Sequence, residues 1–240
     1  MMSVNDKLES LLAESRAPRD IEIETMSLNF YRMQLGDFVL NLLLGTKEAQ
    51  EKAVSYRSFN VAAGMLAVRP GPLGTNMGRF YGVNVKVDGT DTINIHAEDM
   101  ARKKARNAGF SAVSVVTVIG PTQEDHVSGL HTHALHPCGR CRERLSHDDL
   151  IKPDTLFVSA PEDFKVIDVT SLEGIIRLHQ DGDESGIATF ELNDSADLFT
   201  PLKELEAKAP DVEEVDDSEW QATVGGFLLQ RFVRIQQNLR

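Results

Sequence analysis

Two short, widely separated stretches constrain this chain more than anything else in it: His96-Ala97-Glu98, and Pro137-Cys138-Gly139-Arg140-Cys141-Arg142. They contain the only two cysteines, so no internal disulfide framework is available and the C-x-x-C reads as metal-binding or redox-active. One imidazole, two thiols and one carboxylate are what a catalytic zinc site with three protein ligands and a separate acid/base needs. Cysteines three apart on the first turn of a helix can both face one ion, and the unpaired amides at a helix start favour thiolate. On this reading His96, Cys138 and Cys141 hold Zn2+. Glu98, two residues beyond the histidine, is a neighbour rather than a ligand, placed to move a proton between water, substrate and leaving group. Two other uses of the same residues stand beside it. A closed structural site would take its fourth ligand from His133 or His136, though structural sites usually pair two ligand knuckles and need no carboxylate. A thioredoxin-like redox motif would leave His96-Ala97-Glu98 without a purpose.

The rest of the chain reads as the frame for these stretches. Its 240 residues suffice for one well-filled domain with extensions, and 41% hydrophobic with 26% charged residues is ordinary for a globular protein. No apolar run approaches the roughly 18–20 residues of a spanning helix and the N-terminus lacks a basic-then-apolar leader, so a cytoplasmic protein is expected. A net charge of −12 disfavours gripping a phosphate backbone, which points to a small-molecule substrate rather than nucleic acid. A short amphipathic helix is expected at 7–15, and an apolar, helix-like stretch at 26–44 is punctuated by Gly45-Thr46 before a helix at about 47–55. Strands follow at NVAAGMLAV and GRFYGVNVKV, then a helix through HAEDMARKKARNAG closed by Gly109, and a β-branched central strand, AVSVVTVIG. CGRCRERL starts a helix; TLFVSAP and FKVIDVTSL read as two more strands. Beyond about residue 180 the pattern fades into acidic segments and a last amphipathic stretch. The expected organisation is a helical extension at 1–46, a zinc domain at 47–180, and an acidic segment with a C-terminal helix at 181–240.

Joined in this order, H-x-E and P-C-x-x-C are the two halves of the zinc-deaminase signature. Residues from about 47 to 175 also resemble the cytidine deaminase family beyond those motifs. Tyr56-Arg57-Ser58-Phe59-Asn60-Val61-Ala62-Ala63-Gly64-Met65 is similar to that family's Y-S-x-F-x-V-G-A-A-L pattern, and YGVNVKV resembles the strand carrying its G-x-N-x-E motif. HAEDMARKKARNAG and PCGRCRERL resemble its two zinc-site helices. The resemblance implies a three-layer α/β/α fold, with a mixed sheet of about five strands flanked by helices. It also implies His96, Cys138 and Cys141 on zinc, Glu98 as proton shuttle, and a homo-oligomer. Phe59 would pack near the base, Asn84 would contact the sugar, and backbone groups at Ala97 and around His136 and Pro137 would read the pyrimidine's polar edge. The implied enzyme is a hydrolase acting on C–N bonds of cyclic amidines, with hydroxide on zinc attacking the amino-bearing ring carbon of a cytosine-type nucleoside or nucleotide.

Two departures bear on substrate. Where the family has Glu two residues after the asparagine, this chain has Lys86, and an ammonium donates and attracts anions where a carboxylate would accept from a hydroxyl. Lys86 therefore speaks for a phosphorylated nucleoside or a modified sugar, or else points to solvent. The long loop before the cysteines carries His126, His131, His133 and His136, which invite a second-metal reading beside that of surface or hydrogen-bonded histidines. Arg140 and Arg142 are candidates to bind an anion or to cover the sheet. Rival functions are a zinc-containing binding or regulatory module of the same fold, without turnover, and a deaminase of polynucleotide or of another aminated heterocycle.

Overall fold

The structure, a computed structural model, describes residues 22–26, 35–55, 59–71, 74–86, 94–122, 129–130 and 132–191. The helix expected at 7–15, the acidic tail, the last amphipathic stretch, His126 and His131 lie outside the described residues. In chain order the elements are β1 (Glu22–Met26), α1 (Leu35–Gln50), β2 (Val54–Ser55), β3 (Ala62–Gly71), β4 (Gly74–Val83), β5 (Val85–Lys86) and β6 (Asn94–Ile95). They continue with α2 (Ala97–Asn107), β7 (Ala112–Ile119), α3 (Gly139–Ser146), β8 (Leu156–Ala160), β9 (Val166–Ser171), α4 (Leu172–Asp181), a 3-10 turn (Glu184–Gly186) and β10 (Ile187–Glu191).

A run of β-branched and small residues makes β7, and every residue of it is buried. Such a strand needs cover on both faces, and it has it. The seven-stranded sheet runs β1-β4-β3-β7-β8-β9-β10 and is mixed, with β7 and β8 parallel and the other neighbours antiparallel. Alternation along β3 sends Ala62, Leu66 and Val68 to one core, where Leu42 and Leu43 of α1 cover them. Ala63, Met65 and Ala67 point to the other, beneath Ala97, Ala101 and Ala105 of α2, Cys141 and Leu145 of α3, and Leu172 and Ile175 of α4. The result is the three-layer α/β/α arrangement expected. A small second sheet, β2-β5-β6, leads through Ile95 directly into α2. Among the described residues no helix is long and apolar enough to cross a membrane.

Several expectations need correction. The main sheet has seven strands rather than about five, because β1 and β10 extend it at its two edges. Helix α1 runs unbroken through Gly45-Thr46 and stops at Gln50, with Val54–Ser55 in a strand. Those two residues serve packing instead of punctuation. A Cβ on Gly45 would lie 2.3 Å from the Tyr81 hydroxyl, while the Thr46 hydroxyl donates to Leu42 O at 2.7 Å and meets Thr117 Oγ1 at 2.6 Å. Helix α4 and strand β10 fall where no element was expected. The signals for α4 were present: the Ser171 side chain accepts from Gly174 N, Leu172, Ile175 and Leu178 form its buried face, and Gly182 ends it at φ 69°.

Candidate metal centre

Both half-sites sit at helix starts. His96 is the residue before α2 and Cys138 the residue before α3, each with extended backbone, so two helix N-termini and their positive dipole ends converge on one point. The His96 Nδ1 lies 3.5 Å from Cys138 Sγ and 3.2 Å from Cys141 Sγ. All three potential ligand atoms lie within 4.8 Å of one another. A tetrahedral zinc, with bonds of about 2.3 Å to sulfur and about 2.0 Å to nitrogen, separates neighbouring ligand atoms by roughly 3.5 Å. The spacing and the N/S/S donor set therefore fit zinc. Among the described residues no fourth protein ligand joins the group, and no second group of three ligands exists. His133 is exposed, and His136 has another partner.

The charges are tightly coupled. Cys138 is held down to about 4, chiefly by a hydrogen bond from Cys141 and, against burial, by His96. Cys141 is pushed up by the same bond to Cys138, then by burial and by Glu98. Without a metal the two thiols thus share one proton, with the thiolate on Cys138. The hydrogen bond to Cys138 raises His96 against burial. Glu98, a buried residue of the first turn of α2, is raised chiefly by desolvation and then by the Cys138 charge.

The other residues singled out in the sequence are placed as follows. Ala97 is buried in the first turn of α2. Phe59 is half-buried and packs on the same core as Cys138. Asn84 is engaged with backbone: its Oδ1 accepts from Val61 N at 2.8 Å and its Nδ2 donates to Phe59 O at 2.7 Å. It therefore shapes the approach to β3 and keeps one N–H and one lone pair for anything else. Lys86 is half-buried on β5, directly across from Asn94, which is two residues before His96. The His136 ring turns away to β9, where its Nε2 lies 3.1 Å from Asp168 Oδ2, and stacks edge-on against His179 of α4 at 5.7 Å. Asp168 also accepts from the Thr189 hydroxyl at 2.7 Å. The Pro137 carbonyl accepts from buried Arg142 at 2.8 Å, so Arg142 braces the cysteine turn, and Arg140 is exposed.

Sequence reasoning missed the charged side chains that join α2 to α3. Asp99 accepts from Arg102 at 3.1 Å and from Arg144 of α3. Asp148, just beyond α3, accepts from Arg102 and, at 2.8 Å, from Arg106. The signal was the i, i+3 spacing of Asp99 from His96 and of Arg144 from Cys141, which puts each on its ligand's own helix face.

No protein-family model matches the chain, and no curated protein matches it either. Among solved structures it is similar to a cytidine deaminase from Burkholderia pseudomallei, at 27% identity over 57% of this chain and 94% of that one, with a TM-score of 0.44. A cytidine deaminase from Mycobacterium leprae is 17% identical over 57% of this chain and 96% of that one, TM-score 0.39. One from Mycobacterium tuberculosis is 21% identical over 49% of this chain and 82% of that one, TM-score 0.34. Superpositions this loose leave the functional reading to the geometry of the site itself.

Proposed function

We propose that this chain is a zinc-dependent hydrolytic deaminase of a cytosine-type nucleoside or nucleotide, acting in the cytoplasm as a homo-oligomer. One observation carries the reading: the buried carboxyl of Glu98, in the first turn of α2, stands beside a three-ligand N/S/S cluster that no fourth protein ligand closes among the described residues. Held by His96, Cys138 and Cys141, zinc would supply a Lewis acid that makes water nucleophilic near neutral pH. Glu98 would take one proton from the attacking water and give it to the ring nitrogen as the oxygen bonds the amino-bearing carbon. It would then take the second from the added hydroxyl and give it to the amine, which leaves as ammonia when its C–N bond breaks. Ala97, between ligand and shuttle, offers backbone to the base, and Phe59 supplies an apolar wall. Lys86 stands on the strand beside the approach to His96, and its positive charge supports a phosphorylated nucleoside or modified sugar over plain cytidine.

The test is an ammonia-release screen over cytosine, cytidine, deoxycytidine, their monophosphates and aminated purines, with zinc content measured alongside. Glu98→Gln is expected to keep zinc and lower turnover by roughly 10²–10⁴-fold or more; turnover at the wild-type rate refutes its role. Activity confined to phosphorylated substrates and lost in Lys86→Glu supports the anion reading, and activity on free cytidine counts against it. Stoichiometric zinc with no ammonia from any substrate would leave a binding module. Salt-dependent retention on single-stranded DNA or RNA would favour a polynucleotide.

A further inference from the structure

The facing surfaces of α2 and α3 meet along a ladder with the metal cluster as its first rung. His96, Asp99, Arg102 and Arg106 recur every three or four residues and share one face of α2. Cys141, Arg144 and Asp148 do the same along α3 and just past its end. The second rung is Asp99 with Arg144, one turn from the ligands. The third is Asp148 with Arg102 and Arg106, and Arg102 also reaches Asp99, so the rungs are joined. The carboxylates are almost fully covered, at 8% and 3% side-chain exposure, whereas Arg144 and Arg106 keep 39% and 47% of theirs exposed.

We propose that Asp99 and Arg144, backed by Arg102 and Asp148, form a positioning clamp that sets the separation of His96 from the two thiols before a metal arrives. Two physical arguments carry this. Two helices whose positive ends point at one spot repel there, and a carboxylate in the first turn of α2 offsets that repulsion. A covered carboxylate must keep its hydrogen bonds made, so Asp99, at 8% exposure, tolerates little drift of α3 and Arg144 along α2. Both oxygens of Asp99 are used, one on each helix's arginine. The inference rests on the zinc reading above but not on the reaction.

The experiment uses the full chain and zinc alone. Zinc affinity is measured by competition with a chelator, and cobalt-substituted protein reports ligand geometry through its d–d and thiolate charge-transfer bands. Arg144→Gln leaves Asp99 paired with Arg102 and is the variant expected to fold; Asp99→Asn is the second. Each should lower zinc affinity about 10-fold, as loss of outer-shell partners does, and alter the cobalt spectrum with all ligands present. The double variant should be no weaker than the weaker single, and Arg144→Lys should recover part of the loss. Arg106→Gln, at the rung farthest from the ligands and with Asp148 still held by Arg102, should stay within about twofold of wild type. Unchanged affinity and spectrum in folded Arg144→Gln, additive losses in the double variant, or an equal loss in Arg106→Gln would overturn the clamp. Wild-type protein that takes up no zinc would overturn the clamp and the metal reading together, whereas zinc uptake without ammonia release would sink only the deaminase reading.

Discussion

Gly82 offers a sharp test of how the site is held. It lies on β4, opposite Ala63, under the first turn of α2. A Cβ there would lie 2.2 Å from the Ala97 carbonyl oxygen, 2.6 Å from Ala101 N and 2.9 Å from Met100 Cβ. It would wedge into the first hydrogen-bonded turn of the helix that carries His96 and Glu98. Cβ contacts under 3.0 Å are essentially never seen, so the helix and strand must part by at least about 0.8 Å, the difference between 3.0 and 2.2. Helix α3, which starts just after Cys138 and carries Cys141, is anchored on α4, which resists its following α2. The His96-to-sulfur distances, now 3.2 and 3.5 Å, would then open toward about 4 Å. Overpacking of this kind costs about 1–3 kcal/mol of stability. A displacement near 1 Å at a reacting group costs about 10²-fold in rate. The assay pairs chelator competition for zinc with thermal unfolding, and Gly78→Ala on the same strand is the control. Its Cβ would meet the rings of Phe110 and Phe80 at 2.7 Å, a clash against side chains rather than against the α2 turn. Both variants should lose stability, and only Gly82→Ala should lose zinc affinity. Zinc affinity unchanged in Gly82→Ala, or equally reduced in Gly78→Ala, would refute the reasoning.

Two further outcomes follow from the titrating groups. Burial opposes ionisation of Asp168, yet His136 and Thr189 hold its carboxyl below the usual range. A depressed carboxyl contributes stability that is present above its unfolded value of about 4 and is lost as pH falls through the folded value. Asp168→Asn should therefore cost about 1–3 kcal/mol at neutral pH and flatten the acid limb of the stability–pH curve. Chemical denaturation between about pH 2 and 7 measures this, and curves parallel to wild type would refute it. Removal of metal should expose one reactive thiol: with Cys138 near 4 and Cys141 raised, alkylation of chelator-treated protein at about pH 6 should label Cys138 first, and added zinc should protect it. Equal labelling of the two cysteines, read by peptide mass spectrometry, would contradict the shared proton.

By itself the sequence determined the chemical character of the site and the frame around it. Residue types name possible ligands without any geometry, and His96 and the C-x-x-C each stand at the start of a helix whose periodicity is local. The apolar run of β7 announces a doubly covered strand for the same reason, since burial on both faces leaves its mark in consecutive letters. Local pattern failed where a residue answers to a distant partner. Gly45-Thr46 looks like a helix stop, but Gly45 clears room for the Tyr81 ring and Thr46 bonds Thr117. Asn84, expected from the resemblance to contact a sugar, also bonds the backbone of Phe59 and Val61, a role that no local pattern announces. For His136 the sequence leaves the metal-binding and hydrogen-bonded readings side by side, and Asp168, two strands further along the chain, takes its ring. Only the tertiary structure decided how closely His96 approaches the thiols. That separation depends on a glycine under one helix and on an ion pair between two, and both act through space between segments that the sequence keeps far apart.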